Sequence, residues 1–90
     1  MGHLRIIISI VFIIAIFCQA EDFEREIKDA EKAIKKNPKS AEAYYDRAMA
    51  NYEYGKFLFM QQQDNEARKR IKESIGDFDK AINFNPKHLS

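Results

Sequence analysis

Apolar positions follow two rhythms along this chain. Residues 6–17 are apolar with only Ser9 interrupting, and the run continues through Cys18-Gln19-Ala20 without a charge. At Glu21-Asp22-Phe23-Glu24-Arg25-Glu26 the composition flips, and from there apolar residues return every third or fourth place. Phe23, Ile27, Ala30 and Ile34 make one stripe of a helix that Asn37-Pro38 should end, because a residue before proline is pushed out of helical backbone geometry. Ser40 is placed to cap a second helix with Ala43, Tyr44, Arg47, Ala48, Asn51 and Tyr52 on its inner side. A third carries Ala67, Ile71, Ser74, Ile75, Phe78, Ala81 and Ile82 and closes at Asn85-Pro86. Glu24 precedes Lys28, and Glu31 precedes Lys35, by the four residues that favour an ion pair on a helix. Strand-like alternation is absent, so the pattern predicts an all-α fold.

The first rhythm has a different meaning. Arg5, an apolar stretch and small residues near the break form a secretory signal peptide, with cleavage expected between Ala20 and Glu21. A spanning helix needs roughly 20 apolar residues, more than the uncharged segment 6–20 provides. The expected product is therefore an exported chain, secreted or periplasmic. The alternative is an uncut signal anchor tethering a small structural subunit to a membrane. Phe17 before Cys18 disfavours lipid attachment there, since such sites want a small residue.

Charge and cysteine sharpen this picture. Arg5 is the only one of the 15 Lys+Arg in the first twenty residues, which hold none of the 14 Asp+Glu, so residues 21–90 are neutral and evenly mixed. Such a surface exerts no pull on nucleic acid or anionic lipid. The single cysteine leaves with the signal, so no disulfide supports a domain that buries only about 60 % of its unfolded surface. Regular helix packing or a partner must do so.

An internal repeat gives the architecture. Lys32-Ala33-Ile34 with Asn37-Pro38-Lys39 recurs as Lys80-Ala81-Ile82 with Asn85-Pro86-Lys87, a period of about 48 residues, in the range of stacked helical hairpins. Together with Ala41-Glu42-Ala43-Tyr44 through Ala48, then Gly55, Phe78, Ala81 and Pro86, this resembles the tetratricopeptide repeat (TPR) family, over residues 23–86. The resemblance implies the closing helix of one repeat (residues 21–37), one whole repeat (38–86) and a short tail (87–90). It departs in length: a usual repeat has about 34 residues, and this one carries about 14 more. The family packs its small residues face to face, which sets Ala48 against Ser74 and pairs Gly55 with Ala67. The turn then falls within residues 61–65, and the arms run over about 40–62 and 64–84. A turn at Gly55-Lys56 with one very long third helix is the other placement. It leaves Phe57-Leu58-Phe59-Met60 uncovered, which disfavours it.

Catalytic chemistry finds little purchase. His88 is the only histidine after the leader, and the one cysteine is Cys18, so no metal-ligand spacing, resident cofactor or catalytic constellation is expected. Asp77 and Asp79 stand two apart, point to different sides of a helix, and read as a solvated face. The basic run Arg68-Lys69-Arg70 with Lys72, mixed with acids, reads the same way.

The resemblance implies instead a protein or peptide partner held along the outer side of the opening helix, which presents Tyr45, Asp46, Met49, Tyr52 and Glu53. Tyr45 and Met49 could equally pack against the first helix. Hairpin packing is assigned to Tyr44, Ala48, Ser74, Phe78 and Ala81. The Lys and Asn that clamp carboxy-terminal tails in some family members are not on this face. The expected role is a non-catalytic interaction or scaffold module, with self-association through exposed helix faces as a further route.

Overall fold

The computed structural model describes the backbone of residues 2–87 and the side chains of residues 18–87. Three helices follow in order: α1 over Gly2–Lys36, α2 over Ala41–Met60 and α3 over Asp64–Phe84. All described structure is helical, with α2 packed between α1 and α3. The expected leader lies outside the described side chains except for Cys18, Gln19 and Ala20. Among the described residues no helix is long and apolar enough to cross a membrane.

Each helix ends for a local reason. α1 stops at Lys36, and the Asn37 N–H still donates to the Ala33 carbonyl at 3.0 Å before Pro38 forbids continuation. The Ser40 hydroxyl accepts from the Ala43 N–H at 3.2 Å and satisfies an otherwise orphaned donor at the start of α2. At the far end Gln62 adopts φ 62°, the Gln63 N–H donates to Leu58 O at 2.9 Å, and the Gln62 N–H donates to Phe59 O at 3.0 Å. These two bonds make a Schellman turn, with glutamine where glycine is usual. The turn therefore occupies residues 61–63, and Gly55 sits inside α2. The arms are both long.

The α2–α3 seam is built from small residues. Ala48, Ala67 and Ala81 are fully buried, and Ser74 nearly so, its hydroxyl donating to the Ile71 carbonyl at 2.6 Å. A Cβ on Gly55 would lie 2.6 Å from Ile71 Cγ1 and 3.2 Å from the Ala67 carbonyl oxygen. Glycine is what lets the helices approach that closely. Tyr44 lies against Phe84 with ring centroids 5.5 Å apart, and Tyr45 meets Phe78 edge-on at 5.8 Å. The expected hairpin packing residues thus all lie in or beside this seam.

Four expectations need correction. Asp77 is buried, not part of a solvated face: it falls between Ser74 and Ala81 on the same stripe, and Arg47 neutralises it from α2. Tyr52 is 40 % exposed, with Lys56 Nζ 5.1 Å from its ring centre, so it is not inward-facing. Ile75 and Ile82, placed on the inner stripe of α3, are exposed because α2 covers only the side that carries Ser74, Asp77 and Ala81. The Glu24–Lys28 and Glu31–Lys35 pairs do not close; Glu24 instead accepts weakly from the Tyr54 hydroxyl at 3.5 Å. Glu66 and Arg70 do approach, Oε1 to Nε at 3.3 Å, though without hydrogen-bond alignment.

The α1–α2 seam is larger-grained. Ile27, Ala50, Tyr54, Leu58 and Ala67 form the central cluster, and Ala20, Phe23 and Phe57 pack against it. Phe23 contacts Tyr54 at 5.4 Å and Phe57 at 5.7 Å between ring centres, and such aromatic pairs add about 0.5–1.5 kcal/mol beyond burial. In the turns of α2 gained by elongation Phe57 is covered by Phe23 and Leu58 is buried, whereas Phe59 and Met60 stay exposed.

Candidate interaction groove

Between α1 and α2 lies an open groove of about 590 Å³. Phe23, Ala30 and Ala33 come from α1, and Met49 and Ala50 from α2. The polar lining is Glu26 and Asp29 on one wall, Asp46 and Glu53 on the other. All four are acids, and no basic residue lines the groove. The spacing explains the arrangement: positions 26, 29, 30 and 33 share one face of α1, and 46, 49, 50 and 53 share one face of α2.

Of the residues singled out by sequence, Asp46, Met49 and Glu53 line the groove, with Met49 36 % exposed. Tyr45 does not; its ring is turned to Phe78 in the hairpin. Tyr52 also stands outside, on the solvent side of α2. Glu53 additionally pairs with Lys56 at 3.2 Å, one turn along the same helix. The α1 wall was missed altogether by the sequence reading, although Glu26, Asp29, Ala30 and Ala33 follow from the same three-and-four spacing.

Across α2 lies the strongest polar contact among the described residues. The Arg47 guanidinium grips Asp77 with both arms, Nε to Oδ2 at 2.7 Å and Nη2 to Oδ1 at 2.9 Å. The Asp77 hydrogen bond, opposed by burial, holds the guanidinium proton more tightly than usual. Geometry of this kind fixes helix register as well as adding attraction. The same cation lies 5.7 Å from the Tyr44 ring centre. Below it Arg70 Nη1 donates to Asn51 Oδ1 at 3.4 Å, and its guanidinium carbon sits 5.0 Å from the Tyr54 ring centre. Tyr54 itself is buried, and that burial, with the nearby Glu24 carboxylate, pushes its phenol pKa up.

The groove is lined by apolar and acidic side chains. Its acids are on open walls, no nucleophile stands beside a base, and among the described residues no three His, Cys, Asp or Glu side chains gather as metal ligands. No curated protein and no solved structure matches this chain. The tetratricopeptide repeat family model matches residues 30–69, from the last turns of α1 through α2 into the first turns of α3, and repeats of this family are typically non-catalytic and mediate contacts with protein partners.

Proposed function

We propose that this chain is an exported, non-catalytic interaction or scaffold module of the tetratricopeptide kind that holds a protein partner along the α1–α2 groove. The observation that carries this reading is the groove itself: apolar at its base, acidic at its rim, and open between two helices that are otherwise well packed. Met49 suits the role, because a flexible thioether adapts to partner surfaces. Export is supported by the charged start, apolar run and small residues at the Ala20–Glu21 break.

A photo-crosslinking residue at Met49 tests the interaction reading in the source cell. It should capture a discrete protein, and Ala33→Arg should abolish the capture. The same products from a crosslinker at Lys69, on the remote surface of α3, would remove the groove from consideration.

A second reading keeps the amino-terminal segment as a membrane tether on a small structural subunit. It is favoured by the continuity of α1 through Ala20–Glu21 and by the packing of Ala20 against the core cluster. The intact mass of protein recovered from the cell separates the two. A chain starting at Glu21 in the exported fraction supports the soluble module, and Met1 retained in membranes supports the tether.

A further inference from the structure

α2 lies between two versions of one helical motif and uses a different face of each. One repeat period relates Glu26, Asp29, Ala30 and Ala33 of α1 to Ser74, Asp77, Phe78 and Ala81 of α3, and relates Ile27 and Ile34 to Ile75 and Ile82. In α3 the first set is the face that meets α2, with Arg47 on Asp77 and Tyr45 on Phe78. In α1 the second set turns inward, with Ile27 buried in the central cluster and Ile34 half-buried, while of the first set Ala30 is buried and Glu26, Asp29 and Ala33 stay exposed. The α1 counterpart of the Arg47-binding face is thus the α1 wall of the groove, where Asp29 makes no ion pair among the described residues.

We infer that the groove seats a basic amphipathic helix of another polypeptide, packed on α1 as α2 packs on α3, with one cation on Asp29 and a second on Glu26. This inference rests on the interaction reading above and names the chemistry of the partner. The first cation follows from the repeat: Asp77 takes Arg47 from the helix packed on it, so Asp29 calls for an arginine at the same place. The second follows from the one change of charge between the two faces. Ser74 packs deep among small residues, whereas Glu26 brings a carboxylate that an α2-like helix would meet with Ala48. A lysine or arginine there matches it.

The occupant is not α2 of a second copy. Both sides of α2 are already engaged within its own chain, through Arg47 and Tyr45 to α3 and through Tyr54 and Phe57 to Phe23 of α1. The outward face of α3 in a second copy does not fit either, because its counterpart in α1 packs against the other side of α2.

Two labelled synthetic peptides test this against the full-length chain in a mild zwitterionic detergent, with binding read by fluorescence anisotropy. One has the sequence of residues 40–56, and the other adds Ala48→Lys. The lysine peptide should bind at least about tenfold more tightly, and Glu26→Gln in the protein should erase that advantage. Asp29→Asn should weaken both peptides by about tenfold, and raising salt from about 0.05 to 0.5 M should shrink the advantage of the lysine peptide. Tighter binding of the unmodified peptide would mean that it replaces α2 against Ser74, where lysine has no room, and would overturn the assignment. Failure of both peptides to bind at about 100 μM would overturn it too. So would a dimer of the unliganded chain, seen by sedimentation, that Asp29→Asn disperses. If the peptides fail while the Met49 crosslink persists, the partner chemistry is wrong and the groove stands. If both fail, the interaction reading falls as well.

Discussion

The two long faces of α2 meet their neighbours in opposite styles. Toward α3 the seam is lined by alanine, serine and glycine, with the Tyr44–Phe84 and Tyr45–Phe78 ring contacts beside them, and is fixed by one part-buried, two-armed ion pair. Toward α1 it is aromatic at one end and gapes into an acidic groove at the other. Small residues allow close approach and leave nothing to adapt. The same repeat motif thus contributes a closed face in α3 and an open one in α1.

The Arg47–Asp77 pair should give the largest effect. Asp77→Asn leaves the guanidinium without its counter-charge in a mostly buried place, which costs about 3 kcal/mol. Asp29→Asn, at the equivalent place in α1, should change stability by less than about 0.5 kcal/mol, because it stands at the surface. Urea unfolding followed by circular dichroism compares the two. Equal losses would erase the distinction between the seams.

Glycine sharpens it further. Gly55→Ala drives a methyl group into Ile71 and the Ala67 carbonyl and should destabilise by about 1–3 kcal/mol. Gly76 has open space at its Cβ, so Gly76→Ala should stabilise by about 1 kcal/mol through helix propensity alone. Thermal melting of the two variants should move in opposite directions. A stabilising Gly55→Ala would mean that the α2–α3 seam is looser than its packing implies.

These contrasts also mark what the sequence discloses. Helix type and the two Asn-Pro stops follow from spacing and proline alone, and the turn follows from setting small residue against small residue. What stays hidden is which of two faces each helix turns inward. Ile75 and Ile82 look like core on any helical wheel, and their counterparts Ile27 and Ile34 are buried or half-buried. Only the presence of a neighbour on that side decides, and periodicity carries no information about it. Asp77 was hidden for a related reason. A lone acid reads as solvated until its partner, thirty residues earlier, is brought across the seam. The groove was half legible, since the α2 wall came from family resemblance and the α1 wall has no motif of its own.

The turn joining α2 to α3 offers a smaller test. Gln62 carries a left-handed backbone that glycine accepts without strain. Gln62→Gly should stabilise by about 1 kcal/mol, and Gln62→Val should destabilise by at least as much. Both should leave the groove unaffected, because its α2 wall ends at Glu53, about two helical turns before Gln62. A change in peptide binding on either substitution would mean that the turn and the groove are coupled.

The smallest effect concerns Tyr54, which belongs to the α1–α2 seam. Burial, and next the Glu24 carboxylate, raise its phenol pKa, so the folded chain holds the proton more tightly than the unfolded one. The stability this provides is complete below the ordinary tyrosine pKa of about 10 and fades as pH climbs through the higher folded value. Tyr54→Phe keeps the ring contacts to Phe23 and Phe57 and has no proton to lose. Wild type should therefore lose more stability than the variant between about pH 10 and 12, as urea midpoints at a series of pH values would record. Parallel curves would place Tyr54 in water, and with it the inner end of the aromatic seam.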